Sequence, residues 1–145
     1  MNIPLITALG SVLTILITSV GYYDYRYSQR LAQTQKLEEQ RNEAREGLLE
    51  LAKRQEIHFS THNTYTTDLS ALGYTDIEDL SVLTPHGWYR LIIPSADNTR
   101  FILAAEPQGE QTGDAKCGAL TFSKEGQAKG ARGSDGTACW SSTPD

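Results

Sequence analysis

The stretch Ala44-Arg45-Glu46-Gly47-Leu48-Leu49-Glu50-Leu51-Ala52-Lys53-Arg54-Gln55-Glu56-Ile57-His58-Phe59 decides how this chain folds. Ala44, Leu48, Leu51 or Ala52, Gln55 and Phe59 recur every three to four residues, which makes one mainly apolar stripe along a helix. Such a stripe has to be covered. Downstream, Trp88 to Pro94, Arg100 to Ala105 and Ala119 to Ser123 read as strands, separated by Asp97-Asn98 and by a Gly-rich stretch containing Pro107. Runs joined by short turns pair antiparallel, so the expected class is α+β, with Leu48, Leu51, Ala52 and Phe59 packing the helix on the sheet.

Working toward the N-terminus, Ser28 to Phe59 has no proline and one glycine, so the helix extends upstream. Gln33 to Glu46 offers only Leu37 and Ala44 as apolar residues and is expected to be solvated or to lie against polar partners. Ile3 to Val20 carries no charge over eighteen residues, a length of about 27 Å as helix. It is expected to be a membrane anchor, with Ile3, Leu5, Leu9, Leu13, Leu16 and Val20 in lipid. Pro4 falls in the first turn, and Tyr22, Tyr23, Tyr25 and Tyr27 suit a headgroup interface. The expected division is 1–27 anchor, 28–59 extramembrane helix and 60–145 globular domain. Ser60 to Gly87 reads as a connection with short helical turns, one of them capped by Asp68.

Cys117 and Cys139 have no further Cys or His nearby to complete a tetrahedral zinc site, so a disulfide is the better reading. Such a bond persists outside the reducing cytosol, which sets the globular part on the oxidising side of the membrane. Arg26 and Arg30, just after the apolar span, point the other way by the positive-inside rule; the cysteines are given more weight. Net charge is -5, and residues 57–115 hold two Lys/Arg against eight Asp/Glu. That is no electrostatic footprint for nucleic acid, although Lys116, Lys124, Lys129 and Arg132 in the last thirty residues are candidate DNA contacts.

Other chemistry finds little support. His58 and His62 stand one helical turn apart without a third ligand, and Asp76, Glu78 and Asp79 lack the spacing of a calcium loop. Neither a metal nor a cofactor is expected. With no nucleophile elbow, phosphate-cradling loop or recognisable triad, the chain is not expected to be an enzyme. Trp88 is expected in the core, with Ile92 beyond it in strand alternation.

Leu48 to Glu56, Tyr65-Thr66-Thr67-Asp68-Leu69-Ser70-Ala71-Leu72-Gly73-Tyr74, Cys117-Gly118-Ala119-Leu120 and Cys139-Trp140 together resemble the type IV pilin family, and more narrowly its minor pilins. Tyr22-Tyr23-Asp24-Tyr25 is similar to the tyrosine-rich segment after the apolar part of pilin helices. The resemblance implies a long helix packed on about four antiparallel strands and a disulfide-bounded region at the end. It also implies partners among other pilin subunits and inner-membrane pilus assembly proteins. The location it implies is a single-pass protein of the bacterial inner membrane, its globular domain periplasmic or carried into a surface filament.

Two features depart from that family: residue five is Leu5 where pilins carry a membrane-buried glutamate, and the stretch from Tyr27 to Leu48 is about ten residues longer, roughly 15 Å of helix. The expected role is a minor-pilin-like component that initiates, caps or regulates a filament. A DNA receptor for uptake ranks below it, and a membrane-tethered binding module outside any filament ranks third.

Overall fold

After Pro4 no proline occurs until Pro85, and the intervening span up to His62 is a single helix, α1 (Pro4–His62), in the computed structural model. The structure describes residues 4–126, 129–130 and 137–140, with the backbone alone at 4–18, 129–130 and 137–138. Two units divide the chain, Met1–Lys36 and Leu37–Asp145. In the first, Val20, Tyr22, Tyr23, Tyr25 and Tyr27 are exposed. Ile3 lies outside the described residues, and Leu5, Leu9, Leu13 and Leu16 are described as helical backbone only. Among the described residues no helix is long and apolar enough to cross a membrane, so the expected span is not shown.

In the second unit, α1 stops where Asn63 turns left-handed (φ 55), its N–H donating to the Phe59 carbonyl at 2.8 Å. A single left-handed residue closing the last turn in this way is the αL helix stop, and asparagine tolerates that conformation. The sheet that follows has five antiparallel strands in sequential order. They are β1 (Ser81–Leu83), β2 (Tyr89–Ala96), β3 (Phe101–Pro107), β4 (Leu120–Ser123) and β5 (Lys129–Gly130), with a short helix α2 (Thr137–Trp140) at the end. A 3-10 turn, Gly109–Gly113, lies between β3 and β4.

The expected stripe is the buried face of α1. Ala44, Leu48 and Leu51 are fully buried and Ala52 nearly so, in one cluster with Tyr89, Leu91, Ile93, Phe101, Leu103, Ala105 and Leu120. Phe59 packs at its margin, half-buried. Gln55, also fully buried, spends both ends of its amide on the backbone of Thr66, donating to the carbonyl at 2.6 Å and accepting the N–H at 3.0 Å. A polar residue can therefore complete an apolar stripe at no cost in unpaired groups.

Two expectations change. β1 was read as connection. It is preceded by the turn Glu78–Ser81, in which Asp79 (φ 49) and Leu80 (φ 58) are both left-handed. Consecutive left-handed residues normally announce themselves as Asn-Gly or Asp-Gly, and Asp-Leu does not. Trp88 is not in the core. β2 turns Tyr89, Leu91 and Ile93 inward, one residue out of phase with the expected Trp88 and Ile92, and a one-residue change of phase exchanges the faces of a strand. Pro94, which cannot donate to a ladder, sits where the β2–β3 register shifts, between Ile92 and Ser95.

The polar part of α1 lies against polar partners. Arg41 donates to both oxygens of Asp114, from Nε and Nη2, each at 2.7 Å, with both side chains buried. Glu38 joins Arg41 (3.0 Å) to Arg45 (2.5 Å), and Arg45 Nη1 donates to the Cys139 carbonyl at 2.6 Å. Arg45 also donates to Asn42 Oδ1. Cys117 and Cys139 form the expected disulfide. Asp114 Oδ1 further accepts the N–H of Lys116 at 3.1 Å and of Cys117 at 3.3 Å. Burial pushes the Asp114 carboxyl up, but Arg41 and those backbone donors outweigh it and hold it below the usual range.

Replacing Asp114 by alanine strands the buried Arg41 guanidinium and should destabilise by about 3 kcal/mol or more in denaturant unfolding, whereas the double change Arg41→Met with Asp114→Leu should recover most of the loss. Because the folded carboxyl is depressed, its contribution is complete above the ordinary Asp value of about 3.9 and disappears as pH falls through the folded value. The acid limb of stability against pH should therefore be shallower in Asp114→Ala than in the unmodified chain. Reducing the disulfide, or changing both cysteines to serine, should cost about 3 kcal/mol by freeing the enclosed loop in the unfolded chain; an unchanged unfolding midpoint would contradict this.

Candidate functional site

The C-terminal end of α1 meets two sheet turns. In the first, between β2 and β3, Asp97 Oδ1 accepts from Thr99 N (2.7 Å), Thr99 Oγ1 (2.6 Å) and Arg100 N (2.9 Å). Asp97 also exchanges backbone bonds with Arg100 and Tyr65, each at 3.0 Å. Donation from Thr99, then from the Arg100 N–H, lowers the exposed Asp97 carboxyl to about 2. This Asx turn fixes the backbone from which Arg100 projects, its side chain mostly in solvent and 3.7 Å from Asp97 Oδ2.

The second turn follows β4, closing with Gly126 N–H on the Ser123 carbonyl at 2.9 Å, and Gly126 takes the left-handed conformation (φ 73). Lys124 in this turn reaches back over α1: its Nζ lies 5.3 Å from the Phe59 ring centroid and 5.0 Å from that of Tyr65, and donates to the Thr99 carbonyl at 3.3 Å. The neighbouring Tyr65 side chain raises the Lys124 pKa, with smaller contributions from Glu56 and Glu125. Phe59 and Tyr65 stack at 4.6 Å, and Tyr65 meets Phe101 edge-on at 4.9 Å, so the aromatic platform under Lys124 continues into the core. Since β3 and β4 pair with Ile102 opposite Ser123, Arg100 and Lys124 belong to the same end of the sheet.

Two surface cations at one rim, placed by turns with paired backbones, can hold phosphate oxygens. Of the four expected DNA contacts, only Lys124 belongs to this rim with its side chain described. Lys116 precedes β4, beside the disulfide, whereas Lys124 follows it, so the strand separates the two. Lys129 is paired with Thr121 through β5, its side chain outside the described residues, and Arg132 lies outside them altogether. Arg100 was read only as the start of a strand. The signal that could have found it was Asp97-Asn98-Thr99, whose leading aspartate announces an Asx turn and therefore an outward-facing residue after it.

Other candidates stay apart from the rim. Asp68 caps a turn, accepting the Ser70 N–H at 2.9 Å and hydroxyl at 2.7 Å. Asp76, Glu78 and Asp79 precede β1, at the opposite edge of the sheet from β5. Among the described residues no group of three or more His, Cys, Asp or Glu side chains converges to hold a metal ion.

One family model matches the chain, that of type IV minor pilin ComP, DNA uptake sequence receptor, over residues 33–121. The match takes in the buried stripe, Arg100 and Lys116 and ends before Lys124. No curated protein matches the chain.

Proposed function

We infer what the chain does from one premise: it belongs to the family of type IV minor pilin ComP, DNA uptake sequence receptor. It is a minor pilin, a component of a type IV pilus system, and within that system we read it as a receptor for duplex DNA. The family match carries this reading, and it reverses the ranking that charge counting suggested. Arg100 and Lys124 support it, being the described cations at the rim where α1 ends. Phosphate contacts of this kind position a duplex without reading its sequence. Base reading falls to neighbouring groups, for which Asn98 and Thr99 are available in the same turn.

The chain acts by binding and assembly, without catalysis or cofactor, and its partners are other pilins and pilus assembly proteins. We further propose that Ile3 to Val20 anchors it in the inner membrane with the disulfide-bearing unit on the outer side. The uncharged run and the exposed tyrosines after it support this.

Duplex DNA titrated into the full-length chain should bind at low salt. If Arg100 and Lys124 neutralise two phosphates, raising salt from about 50 to about 200 mM should weaken binding roughly twelvefold. Arg100→Ala with Lys124→Ala should remove most of that dependence, while Lys116→Ala should leave it; no binding at low salt, or equal losses from all three positions, would overturn the assignment. For the anchor, Leu9→Glu or Leu16→Glu should release the chain from membranes on carbonate washing and abolish recovery of pilins with it, and indifference to both changes would remove the anchor proposal.

A further inference from the structure

The last turn of α1 carries two histidines on one face, and their geometry is that of a ligand pair. His58 and His62, four residues apart, stack with ring centroids 4.1 Å apart and planes within 12° of parallel. His62 Nδ1 is 3.1 Å from the His58 carbonyl oxygen and 2.7 Å from Thr61 Oγ1. A carbonyl only accepts, and Thr61 Oγ1 donates to that same carbonyl at 3.0 Å, so Nδ1 of His62 is the protonated nitrogen. Its Nε2 lone pair is left facing away from the helix. A backbone carbonyl fixing the far nitrogen is the arrangement that orients metal-ligating histidines. The His58 ring makes no hydrogen bond among the described residues.

The surroundings favour a cation at this place. The negative end of the helix dipole is here, since α1 ends at His62. Asp68 is close enough to His58 for charge interaction and has one carboxylate oxygen, Oδ1, engaged by Ser70. Of the nearby cations, Arg54 is paired with Glu50 at 2.9 Å and donates to the Leu72 carbonyl, also at 2.9 Å. Lys53 is exposed and shares with both histidines the rim of an open groove of 380 Å³.

We propose that His58 and His62 together bind one late first-row divalent cation, Cu²⁺, Ni²⁺ or Zn²⁺. Two imidazoles suit such ions and not Mg²⁺ or Ca²⁺, which take oxygen ligands. With no third side chain converging among the described residues, water completes the coordination sphere, which distinguishes this open surface site from a closed structural zinc site. The site is independent of the DNA reading, which rests on Arg100 and Lys124.

The test is titration of the full-length chain with CuCl₂, NiCl₂, ZnCl₂ and MgCl₂ by calorimetry. Equimolar binding is expected, tightest for Cu²⁺ and absent for Mg²⁺. His58→Ala and His62→Ala should each weaken it by about tenfold or more, and Thr61→Val by less, because that change removes only the group supporting the His62 tautomer. His86→Ala serves as the control, since His86 is engaged by Glu43 on another part of the unit, and should change nothing. Selective Cu²⁺ broadening of two histidine ring protons in the NMR spectrum of the unmodified chain checks the same point without a variant. Binding that survives both histidine changes, broadening of other side chains instead, or no Cu²⁺ binding overturns the proposal.

Discussion

The fork of Arg41 on Asp114 is the constraint on which the rest of the second unit depends. The helix has to present an apolar stripe to the sheet, yet its first turns in this unit offer guanidinium groups in place of aliphatic side chains. Burying them is tolerable only if every charge is met, and it is. Asp114 answers Arg41, Glu38 bridges Arg41 to Arg45, and Arg45 ends on the Cys139 carbonyl. A buried pair of this kind adds little net stability over an apolar substitute, because desolvation offsets the attraction; what it contributes is a unique position for the groups it joins. Here those groups are the two ends of the disulfide. Asp114 holds the Cys117 N–H, and Arg45 holds the Cys139 carbonyl, so the covalent loop is fixed to the helix from both sides.

That attachment sets the start of β4, three residues beyond Cys117, and hence the pairing of Ile102 with Ser123 that carries Lys124 toward Arg100. The clamp and the cationic rim occupy opposite ends of the same packed stretch of α1, Arg41 and Phe59 being about 27 Å apart along the helix axis. Rigidity therefore runs from a buried ion pair, through the strand register, to the surface where a ligand would be met. For a minor pilin this matters because affinity at a rim with few contacts is kept only when side chains do not have to be ordered on binding.

The sequence made the local parts legible and left the distant ones hidden. The stripe from Ala44 to Phe59 and the runs now seen as β2, β3 and β4 were readable because helical and strand periodicity are local signals. The cysteine pair was readable by elimination. Arg41 and Asp114 lie 73 residues apart, and nothing in either neighbourhood indicates the other. β1 was hidden by a turn whose left-handed residues are Asp79 and Leu80, and the phase of β2 by aromatic residues at both Trp88 and Tyr89. At the rim, Lys124 was legible as a charge, while Arg100 became visible only once Asp97 was seen to hold its turn.

Charge counting misjudged the ligand for a physical reason. Residues 57–115 hold eight acids against two bases, which reads as a surface closed to nucleic acid. One of those acids, Asp114, is buried and cancelled by Arg41, which the count assigned to a different segment. Asp76, Glu78 and Asp79 precede β1, across the sheet from β4 and β5. What a phosphate would meet at the rim is Arg100 and Lys124, beside an Asp97 whose Oδ1 is already engaged by three donors of its own turn. Field strength near a surface falls off within about 8 Å at physiological salt, so it is this local arrangement that governs a phosphate contact, and the net charge of -5 bears on it only weakly.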